Sequence, residues 1–171
     1  MATHTLIGSY SVNSGGATNV VFNSISQSYT DLRIIVSGKF VYSSNSHSGG
    51  IYFNSPASDT SYKNFQANGT STGSSAGSSN TDGYLGEIPA SNFTGWANLE
   101  VYIPNYTSSV QKTYSVDMVS ENNGTANNMF MLVNTCSKTA PITSITLRDF
   151  AAGGANWAQY SNFYLYGIKN S

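Results

Sequence analysis

Eight carboxylates, two histidines and one cysteine are all that this 171-residue sequence offers to acid–base, metal or thiol chemistry. A zinc-type site needs three or four convergent nitrogen or sulfur ligands at recognisable spacing. His4 stands at the start of the first predicted strand, His47 lies in a Ser/Asn-rich turn, and no HExxH, CxxC or DxDxDG pattern accompanies them. The reading is of two solvated histidines, with neither metal nor cofactor. Glycosidic hydrolysis asks for two carboxylates held about 5–10 Å apart, and folding would have to bring Glu87, Glu100, Asp117 and Glu121 together to supply them. As members of alternating strands, these four read more simply as outward-facing residues. The many serines have no apparent histidine partner, so nucleophilic catalysis is not expected either. Cys136, without a second cysteine, reads as a small buried hydrophobe.

The aromatic residues are the better candidates for a function, and that function is binding. Tyr and Trp join a flat apolar face to a polar tip and are favoured in contact surfaces. Trp96, Tyr102, Tyr106, Trp157 and Tyr160 fall in or beside predicted loops, where sugar platforms and partner contacts are commonly built. The competing reading makes such tyrosines cross-strand neighbours that only stabilise a sheet.

The elements that must position these residues are strands. Apolar and aromatic residues recur at period two in short runs, and no stretch has helical spacing. Strands are expected over 3–12, 18–25, 31–42, 50–54, 61–66, 84–88, 96–103, 111–121, 128–134, 142–149 and 160–168. Leu32, Ile34 and Val36 share one face, as do Leu99, Val101 and Ile103, and Tyr114, Val116 and Met118. Pro104 stops one ladder. Asn122-Asn123-Gly124 supplies the positive-φ residues of a tight reversal, which pairs 111–121 with 128–134. The run NMFMLV is apolar on both faces, so its strand is expected centrally in a sheet or against another subunit. Residues 68–83 are small and polar and are expected to form a long exposed loop. The whole reads as one all-β domain over 1–171, an antiparallel two-sheet β-sandwich of jelly-roll type.

Charge narrows the partners. Charged residues make up 9% of the chain, against about 25% in an average soluble domain. A net charge of −1 and scattered Lys and Arg give no field for a phosphate backbone, which argues against nucleic acid. No apolar run approaches the roughly 20 residues that span a bilayer, and the start lacks a signal-peptide pattern, so neither membrane nor secretion is expected. Sheet edges are ordinarily guarded by charge, above all Lys, and many of these strands carry none. Edges covered by other subunits would account for that, and a homo-oligomer is expected.

Three segments carry a resemblance: LIGSYSVNSGGATNVVFNSISQSYTDLRIIVSG, NLEVYIPNYTSSVQKTYSVDMVSENN, and ITSITLRDF with NFYLYGIKNS. Together they resemble small virion proteins of tailed bacteriophages, particularly those infecting cyanobacteria and other aquatic bacteria. The opening L-I-G-S-Y and the closing L-Y-G-I-K-N-S are the most specific parts. The resemblance implies a structural part of the particle, either a capsid decoration (cement) protein or a tail fibre domain, and transfers no catalytic residue. The decoration reading is preferred because the strand pattern runs from Thr3 to Ile168 and leaves no stretch for a coiled-coil stalk. Such a protein would bind the major capsid protein or other virion proteins, as a trimer, on the surface of the phage particle. In the alternative, a tail module would recognise host cell-surface glycan through the loop aromatics. An enzyme degrading capsule or cell wall ranks last.

Overall fold

The computed structural model describes residues 2–56, 59–69, 71–120, 128–150 and 154–169. Among them, alternation of apolar and polar side chains translates directly into strands. β3 (Asp31–Gly38) buries Leu32, Ile34 and Val36 completely. β9 (Ala97–Ile103) turns Leu99, Val101 and Ile103 inward and Glu100 and Tyr102 outward, and ends immediately before Pro104. β10 (Lys112–Ser120) sends Tyr114, Val116 and Met118 to the same interior. Each fully buried aliphatic or aromatic side chain stabilises the fold by roughly 1.5–3 kcal/mol relative to exposure.

Eight strands make the larger sheet, in the order β1 (Thr3–Ser11), β14 (Asn162–Lys169), β3, β9, β10, β11 (Asn128–Cys136), β6 (Thr60–Asn68) and β7 (Ser71–Asn80). A four-stranded sheet, β2 (Asn19–Phe22), β12 (Ile145–Asp149), β5 (Ser46–Phe53) and β8 (Gly83–Pro89), covers its inner face. A short pair, β4 (Phe40–Val41) with β13 (Asn156–Trp157), closes one end. All pairings are antiparallel, and the chain passes between sheets at most junctions; β6–β7, β9–β10 and β10–β11 are the sequential pairs that share one. The architecture is the expected antiparallel sandwich, with unequal layers.

Polar groups inside the sandwich are used as fasteners. The fully buried Asn134 carboxamide accepts from Tyr84 N–H at 2.9 Å and donates to Tyr84 C=O at 3.1 Å, tying β11 to β8 across the layers. Lys112, also buried, donates its ammonium to the carbonyls of Ser108, Val110 and Thr139 and so pins two loops. Asp82, with no exposed surface, takes a two-point contact from Arg148 at 3.0 and 3.2 Å. Gly86 has φ +99°, a backbone conformation that favours glycine.

One expectation is corrected. The tract expected as a loop over 68–83 is instead strand across Ser71–Asn80, paired along its length with β6. Its small side chains bury nothing, but an edge strand needs only a backbone ladder on one side. Side chains from β6 add to that ladder: Asn64 Oδ1 accepts from Ser75 N–H at 2.7 Å and Ser75 Oγ at 3.0 Å, and Thr60 Oγ1 donates to Asn80 C=O at 2.6 Å. The hairpin of β10 and β11 is present, in register from Lys112↔Cys136 to Ser120↔Asn128. Its predicted turn, Asn122-Asn123-Gly124, lies outside the described residues.

Candidate contact surfaces

The five aromatic candidates separate into three environments. Trp157 is wholly buried: its ring lies 4.2 Å from Phe40 and edge-on to Phe163 at 4.8 Å, and its indole N–H donates to Leu147 C=O at 3.2 Å. Tyr106 is equally buried and donates its hydroxyl to Ser26 C=O. Neither reaches a partner or a sugar, which corrects their reading as contact residues. Tyr102 stands on the outer face of the large sheet, 37% exposed, with its hydroxyl on Asp31 Oδ2 at 2.8 Å. Trp96 and Tyr160 come together.

Trp96, half-buried just before β9, and Tyr160, 70% exposed just before β14, line one groove of about 470 Å³ with Ser14, Lys39, Asn156 and Gln159. Tyr160 has φ +73°, a left-handed conformation that costs a bulky residue on the order of 1–3 kcal/mol. The surrounding bonds enforce it. Tyr160 N–H donates to Val12 C=O at 3.0 Å, Asn162 Nδ2 donates to Tyr160 C=O at 2.7 Å, and the buried Ser161 accepts from Lys39 N–H through its hydroxyl at 3.2 Å. Lys39 Nζ in turn donates to Phe93 C=O, and Asn156 Oδ1 accepts from Thr18 Oγ1 at 2.9 Å, which leaves the amide N–H groups of Asn156 for the groove.

A second surface lies on the outer face of the eight-stranded sheet. Cross-strand register places Phe65, Met131, Asp117, Glu100, Ile35 and Tyr164 in one row across β6, β11, β10, β9, β3 and β14. Phe65 is 73% exposed and Met131 55%, and Val119, Met129 and Val133 around them are about half exposed. Strand β11 therefore presents apolar side chains on both faces, Phe130 and Leu132 inward and Met129, Met131 and Val133 outward. Trp96 borders this patch as well as the groove, since it also flanks Ala67, Val119 and Met129.

The candidate carboxylates do not converge as a set. Glu87 sits in the smaller sheet, where Ser46, Ser48 and Tyr84 hydroxyls donate to it at 3.1, 2.7 and 2.7 Å. Burial, with Glu87 as a secondary cause, pushes the Tyr84 phenol far up. Glu100 and Asp117 are cross-strand neighbours on the exposed face, and Glu100 takes Arg33 at 2.5 Å. Glu121 lies outside the described residues. His47 is not in a solvated turn: it belongs to β5, stacks on Tyr42 at 4.1 Å and holds Nε2 2.8 Å from buried Asp149, whose other oxygen accepts Ala155 N–H at 2.7 Å. Gly-x-Ser-x-Gly spacing occurs twice, at 69–73 and 73–77, but Ser71 and Ser75 at the centres lie on the extended β7 rather than on a strand-to-helix elbow. Among the described residues no group of three or more His, Cys, Asp or Glu is placed to hold a metal ion. No known protein family matches the sequence, and no curated protein is significantly similar to it.

Proposed function

We propose that this protein is a non-catalytic structural subunit of a bacteriophage particle, a capsid decoration protein that docks through the outer face of its eight-stranded sheet. The observation that carries the reading is the apolar patch of Phe65, Val119, Met129, Met131 and Val133 on an otherwise complete sandwich. Contiguous exposed apolar surface of this kind marks an interaction site. Eight strands spaced about 4.8 Å apart make a face roughly 35–40 Å wide, and about 20 Å of strand length gives on the order of 750 Å². A standard stable interface uses about 800 Å² per partner, so the face is the right size for one docking event.

The partner in this reading is the major capsid protein, with the decoration protein arranged as a trimer on the shell. The mechanism is mass action, because a protein that binds only the assembled state stabilises that state. The phage-like segments at both ends of the chain and the uncharged edge strand β7 support the same reading.

The test is addition of the purified protein to empty phage shells. Saturable binding that raises the shell's heat stability is expected, with Met131→Asp weakening it about tenfold or more because a charge would be carried into an apolar contact. Electron microscopy of intact particles is expected to show copies following shell symmetry. Copies following tail symmetry would make the protein a tail fibre or receptor-binding component instead, and undiminished shell binding by Met131→Asp would remove the sheet face from the contact.

A further inference from the structure

The groove between Trp96 and Tyr160 opens beside the sheet face just described and shares Trp96 with its border, and its chemistry points to a different kind of ligand. We propose that it is a carbohydrate-binding site for neutral pyranose units of a polysaccharide.

A pyranose ring has two apolar C–H faces and a rim of hydroxyls that both donate and accept. The groove is built to match both properties. Trp96 and Tyr160 supply flat aromatic faces, while Asn156, Gln159 and Ser14 supply short polar groups that hydrogen-bond in either direction. Its volume, about 470 Å³, falls within the roughly 300–1,000 Å³ range of small-ligand sites.

The same lining argues against charged ligands. Among the described residues Lys39 is the one cationic side chain lining the groove, and one of its three N–H donors is engaged by the Phe93 carbonyl. Phosphate or sulfate recognition draws on several cations or a guanidinium fork, and a nucleic-acid strand needs a positively charged track beside its stacking rings. Neither is present in this lining.

Tyr160 is the most telling residue. Its backbone is left-handed, which glycine adopts freely and a bulky side chain does not. Yet the position holds a tyrosine, and the strain is not offset by burial, because the side chain remains 70% exposed. The bonds from Val12, Asn162 and Ser161 fix the backbone so that the ring stands over the groove edge rather than folding into the core. Strained backbone of this kind clusters at ligand clamps and other functional sites.

The experiment titrates the purified protein with short neutral oligosaccharides of gluco-, galacto- and manno-configuration and follows tryptophan fluorescence. Trp157 is sealed in the core, so a ligand-dependent change reports Trp96. Saturable change with at least one of these sugars is expected. Affinity is expected to fall about tenfold or more in Tyr160→Gly, read by Trp96 fluorescence, and in Trp96→Ala, read by calorimetry, while Tyr160→Phe stays within about threefold. Near-ultraviolet circular dichroism confirms that each variant is folded; Tyr160→Gly relieves the positive φ and is expected to fold normally. Met131→Asp is expected to leave sugar binding intact, which separates this site from the sheet face. No saturable binding to any of the neutral sugars, undiminished binding by Tyr160→Gly, or tighter binding to polyphosphate or oligo(dT) than to any sugar would overturn the assignment.

Discussion

Trp157 and Trp96 lie close to the same groove and have opposite fates. Asn156 and Ala158, the immediate neighbours of Trp157, line the groove that Trp96 borders, whereas Trp157 itself is sealed beneath it. The cause is parity. In the short strand β13 successive side chains point to opposite sides, so residue 157 goes inward between Phe40 and Phe163 while residues 156 and 158 face out. Trp96 shares parity with Asn98 and Glu100, the outward positions of β9. Residue type made both tryptophans equal candidates; one step of register decided which one lines the groove.

That contrast is most sharply tested by truncation. Trp157→Ala is expected to destabilise the fold by about 3–5 kcal/mol, since the ring's removal leaves a cavity the core cannot fill and deletes its hydrogen bond to the Leu147 carbonyl. Denaturant unfolding measures it. Trp96→Ala is expected to cost less, about 1–3 kcal/mol, because part of the ring already faces solvent. Equal losses for the two variants would break the distinction between a core tryptophan and a groove tryptophan.

Buried phenols extend the contrast to pH. Burial raises the Tyr84, Tyr106 and Tyr114 hydroxyls above the ordinary value of 10.0, with Glu87 adding to the effect at Tyr84. Below pH 10 these groups are protonated in both folded and unfolded chains, and the stability linked to them is fully present. Above 10 the unfolded chain releases protons that the native state retains, so stability falls as pH rises toward the folded values. Lys112 works in the opposite direction, because burial lowers its ammonium below 10.5 and rising pH up to that value favours the fold. The Tyr102 phenol and the buried Cys136 thiol, both also raised, add to the falling direction. The expected outcome is a falling denaturation midpoint from about pH 10 upward, with phenolate absorbance appearing cooperatively as the protein unfolds.

How much of this was legible in the sequence follows from what period two can and cannot encode. The inward residues of β3, β9 and β10 were readable because each apolar side chain alternates with a polar one. The central place of β11 was readable too, since a strand apolar on both faces is poorly placed at an edge. Strand β7 was not, because Ser and Gly leave no alternation to read and its pairing rests on the backbone and on Asn64. The environment of His47 depended on Asp149, about a hundred residues away in sequence, which no local pattern announces. For the aromatics, position beside a loop carried no information about parity. Tyr160 and Trp96 emerged as neighbours only once β9 and β14 were set on either side of β3.

The smallest expected effect is also the most discriminating. Tyr160→Gly replaces a left-handed tyrosine by the residue that conformation favours, relieving roughly 1–2 kcal/mol of strain. Against this stands the greater freedom glycine gives the unfolded chain, about 0.5–1 kcal/mol. Little packing is lost, because most of the ring already faces solvent. The balance is a stability change between about zero and a gain of about 1.5 kcal/mol, read as a small rise in denaturation midpoint. A loss of about 2 kcal/mol would show that Tyr160 braces the turn before β14, as Trp157 braces the core beneath it. A neutral or stabilising result sets Tyr160 beside Trp96, on the side of the molecule where aromatic rings line the surface rather than fill the core.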